Sequence, residues 1–180
     1  KLAAVDPRTG SELWECNVLK DYLCPSPVAH DGVVYLLGYS RSAAVRTGGR
    51  GDVTASHIVW SGTRGSEACT PVVHDGHLYW AHQENGIAHC LDAKTGKVVY
   101  QERFNPTMGK SYASGVLVGD RIYYVSRENG TYVVAAKPTF QLLAHNQIAS
   151  DTSVFNGTPA ISDGKMYLRS DRYLYCIGTK

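Results

Sequence analysis

The chain has 180 residues, of which 18 are basic and 16 acidic, so its net charge is +2 with histidine neutral. That balance excludes the broad positive field on which binding to nucleic acid or an anionic membrane rests, and no run of about 18 apolar residues is present to span a bilayer as a helix. Eighteen glycines and twelve tyrosines fit an all-β chain, punctuated by turns.

Residues 1–16 read as two short strands, Leu2–Val5 and Glu12–Cys16, around a turn containing Asp6, Thr9 and Gly10, with Trp14 in the second strand. They correspond to the third and fourth strands of a unit that becomes complete further on. Residues 17–25 are a connection, and residues 26–60 give the first full unit. Within it HDGVVYLL supplies a turn and a strand, whereas Gly38–Ser56 reads as a long, irregular, glycine-rich and basic segment. Loops carry function more often than strands do, so Arg41, Arg46 and Arg50 are the candidate contacts for a protein or anionic partner.

Residues 69–104 show the unit most clearly. Pro71–Val73 is short and apolar, His74-Asp75-Gly76 turns, and His77–Ala81 alternates. Glu84-Asn85-Gly86 then turns, Ile87–Leu91 alternates, and Thr95-Gly96 closes a last turn before Lys97–Tyr100. Asp-Gly and Asn-Gly between alternating runs are expected in type I′ hairpins, where both central residues need positive φ. Residues 112–145 repeat the unit with Gly115 in place of proline and Ala136–Phe140 in place of the Asp-x-x-Thr-Gly turn. Residues 153–178 end on a third strand, Tyr173–Ile177, with no fourth strand after it. A chain that starts and stops inside a unit looks cut from a longer array or processed.

The unit recurs every 44 residues: Tyr35, Tyr79, Tyr123 and Tyr167 keep this step, as do Pro27, Pro71, Gly115 and Pro159. A fixed period in the forties with four strands per repeat is the signature of propeller blades. We therefore expect one domain over residues 1–180, an all-β propeller of four-stranded antiparallel blades.

The pattern Ala4-x-Asp6-x-x-Thr9-Gly10-x-x-x-Trp14, with its partial return at Asp92, Thr95, Gly96 and Tyr100, resembles the pyrroloquinoline-quinone-type (PQQ-like) propeller repeat. So does the phrase PVVHDGHLY, and the run GGRGDVTASHIVW is similar to segments of bacterial PQQ-like proteins. Quinoprotein dehydrogenases and BamB-type outer-membrane assembly lipoproteins share this repeat. The resemblance implies that Trp14, Trp60 and Tyr100 dock between blades while Asp6, Thr9, Gly10, Asp92, Thr95 and Gly96 hold the outer turns. It also implies a ring of seven or eight blades, of which four repeats are half, and a periplasmic or cell-envelope location. A homodimer completing an eight-bladed ring is one way to close it.

Five cysteines form no CxxC, CxxCH or vicinal pair. Cys90 and Cys176, in apolar strand contexts, are expected in the core. Cys24 and Cys69 lie just before the equivalent prolines and leave a disulfide open. Seven histidines show no HxxxH or HExxH spacing, and Asp31, Asp75, Asp120 and Asp163 each belong to a turn. With no triad spacing and no phosphate loop, the leading expectation is a non-catalytic, protein-binding scaffold with no cofactor. The alternative is a fragment of an alcohol or sugar dehydrogenase using pyrroloquinoline quinone with calcium.

Overall fold

Short alternating segments separated by glycine turns become β-strands grouped in five sheets in the computed structural model, which describes residues 1–20 and 23–178. Asp21 and Tyr22, within the connection over residues 17–25, and the terminal Thr179 and Lys180 lie outside the described residues. The first sheet holds β1 (Leu2–Val5), β2 (Glu12–Cys16) and the two-residue β6 (Gly51–Asp52). The second is β3 (Val28–His30), β4 (Val33–Leu37), β5 (Ser42–Arg46) and β7 (Ile58–Gly62), with the single helical turn α1 (Thr54–His57) before β7. The third is β8 (Val72–His74), β9 (His77–Ala81), β10 (Ile87–Asp92) and β11 (Val98–Arg103). The fourth is β12 (Val116–Val118), β13 (Arg121–Val125), β14 (Thr131–Ala135) and β15 (Leu142–Asn146). The fifth has three strands, β16 (Ala160–Ser162), β17 (Lys165–Arg169) and β18 (Leu174–Ile177). Neighbouring strands are antiparallel except β2 and β6. The row of sheets does not close on itself.

Three Asp-Gly turns join the first two strands of a sheet with both residues left-handed: Asp31 (φ 47°) and Gly32, Asp75 (43°) and Gly76, Asp163 (49°) and Gly164. Aspartate tolerates this region better than most side chains. The Glu-Asn-Gly hairpins depart from the type I′ expectation. Gly86 and Gly130 are left-handed but Asn85 and Asn129 are not. The closing hydrogen bond from His82 N–H to the Ile87 carbonyl (2.8 Å) encloses four residues, and such a loop needs only one left-handed position.

The segment Gly38–Ser56 also departs from expectation. Ser42–Arg46 is a regular strand whose Ala43, Ala44 and Val45 have no exposed surface. Outside it the segment holds only the turn over residues 38–41, the two-residue β6 and the single helical turn α1. Residues 47–57 reach back to the first sheet, where Gly51 pairs with Trp14 and Val53 N–H donates to the Glu15 carbonyl at 2.9 Å.

The sheets pack face to face through apolar clusters. Trp14, Leu36, Ala43, Val45 and Val53 join the first two, and Tyr35, Trp60, Leu78, Trp80 and Leu91 join the second and third. Tyr79, Tyr100, Phe104, Met108, Tyr124 and Tyr132 join the third and fourth. The fourth and fifth share only Ala113, Val125, Phe155 and Leu168 as buried members, and a mostly apolar cavity of about 710 Å³ opens between them beside Tyr123, Met166 and Tyr175. Cys90 is buried against the fourth sheet; Cys176, at the same register, is exposed, against the expectation of a core residue, because among the described residues no further sheet packs on that face of the fifth.

Candidate functional site

Two loop faces result from this topology. The lower face carries the tight turns between first and second strands and the turns between third and fourth. The upper face carries the hairpins between second and third strands and the connections from one sheet to the next.

On the lower face the residues with a docking expectation fall into three groups. In the first, Asp6 Oδ1 accepts the Arg8 N–H (2.8 Å), Gly10 N–H donates to the Asp6 carbonyl (2.7 Å), and Ser11 N–H donates to Thr9 Oγ1 (3.2 Å). In the second, Asp92 Oδ1 accepts both the N–H and the hydroxyl of Thr95 at 2.7 Å, and these bonds hold its carboxyl below the usual range. The third group is aromatic. Trp60, from the second sheet, donates its indole N–H to the Ala93 carbonyl of the third at 2.8 Å. A Cβ on Gly96 (φ 70°) would lie 2.6 Å from that ring, so glycine is what lets the turn close on it. Tyr100 meets Phe140 of the fourth sheet edge-on at 5.7 Å, an aromatic ring standing where Gly96 stands one sheet earlier. Trp14 is buried in the cluster between the first two sheets. Each aromatic follows a β-bulge: Trp14 opposite Ala4, Trp60 opposite Ala44 and Tyr100 opposite Cys90. At the same register of the fourth sheet, opposite Val133, stands Ala144.

Sequence reasoning missed a second inter-sheet device. Ser26 N–H donates to Thr70 Oγ1 (3.0 Å), Thr70 N–H to Ser114 Oγ (3.0 Å), and Ser114 N–H to Thr158 Oγ1 (2.9 Å). A hydroxyl residue thus precedes every Pro27-type position, and each after Ser26 accepts from its equivalent one sheet earlier. The signal was present as Ser-Pro, Thr-Pro, Ser-Gly and Thr-Pro at the 44-residue step.

The upper face is stitched by close backbone contacts. A Cβ on Gly65 would fall 2.1 Å from the Gly38 carbonyl oxygen, and Ser111 N–H donates to Gln83, Arg127 N–H to Lys110 and Phe155 N–H to Arg127. Exposed on this face are Tyr39 and Tyr173, each 56% accessible, and Tyr112, whose ring lies 4.7 Å beneath the Arg127 guanidinium. The three candidate partner arginines do not converge. Arg41 lies on the upper face, while Arg46 ends β5 at the lower face. A five-residue strand, roughly 13 Å or more, separates them, and Arg50 sits in the segment that returns to the first sheet.

Among the described residues no three His, Cys, Asp or Glu side chains converge to hold a metal ion. The turn aspartates stand one to a sheet, with Asp31 and Asp75 side chains largely in solvent. These residues do not fit a calcium-held quinone. Burial pushes the Cys69 thiol up to about 11 and Cys90 to about 12, so neither is a thiolate at neutral pH. All five cysteines are free.

Repeated four-stranded antiparallel sheets, docked through aromatic rings and left-handed glycines, define an array of propeller blades. A family model described as outer membrane protein assembly factor BamB matches residues 1–102, more than half of the chain, and the chain belongs to that PQQ-like repeat family. Among solved structures it is similar to BamB from Moraxella catarrhalis, with TM-score 0.69 and 15% identity over 89% of this chain and 47% of that one. The computationally designed Ika8 protein gives TM-score 0.68 and 10% identity over 93% and 49%. The quinohemoprotein alcohol dehydrogenase ADHIIG from Pseudomonas putida HK5 gives 0.60 and 15% over 87% and 29%. The chain therefore spans about half or less of the structures it resembles. Comparison with curated protein sequences found no match.

Proposed function

We propose that this chain is part of a non-catalytic propeller scaffold of the bacterial cell envelope, holding a protein partner against its upper face. The observation that carries this reading is the row of aromatic and arginine side chains there: exposed Tyr39, Arg41, Tyr112 and Tyr173 and half-buried Arg127 come from four different hairpins and connections on one side. Tyrosine and arginine are the residue types that anchor protein interfaces, since each offers a large contact area and a polar head. Membership of the BamB family supports the periplasmic location and the scaffold role. Coverage of about half of BamB and Ika8 supports half of an eight-bladed ring.

A second reading, part of a quinone-dependent dehydrogenase, is favoured by the likeness to ADHIIG alone. The metal donors it needs are not assembled among the described residues.

Immobilised chain incubated with solubilised bacterial envelope should retain a protein partner. The triple variant Tyr39→Ser, Arg127→Ala, Tyr173→Ser should weaken retention by at least about tenfold, as loss of interface anchors does. Asp75→Asn with Asp163→Asn, on the lower face, should leave it unchanged. Undiminished retention by the triple variant would reject the assignment. Alcohol turnover on adding pyrroloquinoline quinone and calcium would establish the dehydrogenase instead.

A further inference from the structure

Beneath the upper face, between the second and third sheets, lies a cavity of about 300 Å³. Its lining includes Tyr39 from the β4–β5 hairpin, Arg64 from the β7–β8 connection, His82 from the β9–β10 hairpin, His89 on β10 and Gln101 on β11. Sequence reasoning passed over His89 as one histidine among seven. It is 3% exposed, and neither ring nitrogen has a hydrogen-bond partner among the described residues. Its ring lies flat on Trp80, 4.8 Å between centroids at 6°, and Trp80 is itself fixed by its indole N–H on the Gly65 carbonyl (3.1 Å). Buried donors and acceptors nearly always find partners. An imidazole locked against an indole cannot rotate to seek one.

The groups around it are donors. Arg64 Nε donates to Gln101 Oε1 (2.9 Å), and one terminal nitrogen donates to the Thr63 carbonyl (3.2 Å). The other terminal nitrogen has no partner among the described residues. His82 Nδ1 accepts the Glu84 N–H (3.2 Å), which places the proton of the neutral ring on Nε2. No carboxylate lines the cavity. Glu84 is 3.1 Å from Lys110, and Arg103 donates to the Asn85 carbonyl at 2.6 Å. Burial holds His89 down at about 4, with His82 and Arg64 adding to the effect; burial lowers His82 as well, against Glu84. At neutral pH the lining therefore carries one positive charge, on Arg64.

We propose that this cavity binds a small monocarboxylate, gripped by Arg64 and given N–H donors by His82 and His89. The guanidinium edge matches a planar carboxylate. One positive charge is balanced by one negative charge, at a mouth where Arg64 and Gln101 are exposed and His89 alone of the polar groups is buried. The bound anion favours the imidazolium form of His89, so affinity for the carboxylate form rises as pH falls toward the free His89 value of about 4. The site does not rest on the scaffold reading.

The test is a titration of the full chain with sodium acetate at constant ionic strength, followed through the histidine side-chain ¹⁵N resonances, with sodium chloride and sodium phosphate as comparisons. The His82 and His89 signals should move together along one saturating curve with acetate. R64Q should weaken that binding by at least about tenfold, as removal of a charge-assisted partner does. H89F keeps a flat ring on Trp80 and should weaken acetate binding and cut its pH dependence to the part His82 carries. Shifts no larger with acetate than with chloride, saturation by phosphate in preference to acetate, or insensitivity to R64Q would each overturn the proposal.

Discussion

At Gly96 one absent methyl group decides how closely two sheets meet. Its φ of 70° disfavours any side chain, and the Trp60 ring fills the space a Cβ would take. Gly96→Ala should cost about 2–4 kcal/mol, from left-handed backbone strain plus collision with the indole. Gly10, also left-handed but with nothing within 4 Å, should cost only about 1 kcal/mol on the same change. Urea unfolding midpoints of the two variants check this, and equal losses would mean the Trp60 contact contributes nothing. The glycine, its aspartate and its ring were legible in sequence, because a turn that must be left-handed and a large ring at fixed spacing leave a pattern. His89 was not. An inward strand position holding histidine reads like any alternating position, and only the packing on Trp80 shows that its nitrogens are buried without a partner among the described residues.

Among elements, the hydroxyl ladder connects successive sheets in the 44-residue step itself. Thr70→Val removes the acceptor for Ser26 N–H but keeps its own N–H bond to Ser114, so the loss should be about 0.5–1.5 kcal/mol. Thr70→Ser should retain nearly all of it. Thermal or urea unfolding separates the two, and a loss for Thr70→Ser with none for Thr70→Val would assign the effect to the methyl group instead. The limits of legibility at this scale are instructive. Strand bounds at Leu2–Val5, Glu12–Cys16 and His77–Ala81 follow directly from turn chemistry. Strand β5 was hidden because SAAVR, short and bounded by arginines, has no alternation. Both of its faces are buried, and small side chains are what that closeness demands. Ala144 was readable, being 44 residues after Tyr100, but its meaning emerges only where the bulge puts it in the docking register.

Across the whole molecule, five sheets in a row present two faces of different character. The lower face is made of turns that hold sheets together, and the upper face, stitched by backbone contacts of its own, also presents Tyr39, Tyr112 and Tyr173. Strands β1 and β2 occupy third and fourth positions, while β16, β17 and β18 occupy first to third. Edge strands left open invite pairing with another chain, and Leu174 on β18 is 70% exposed.

The central claim, a scaffold that works through its upper face, is tested most directly by placing a photo-crosslinking residue at single positions in cells and identifying the adducts. Positions 39, 112 and 173 should each yield an adduct with the same envelope protein, and positions 75 and 163 should yield none. Adducts from the lower-face positions alone, or equally from both faces, would contradict the account.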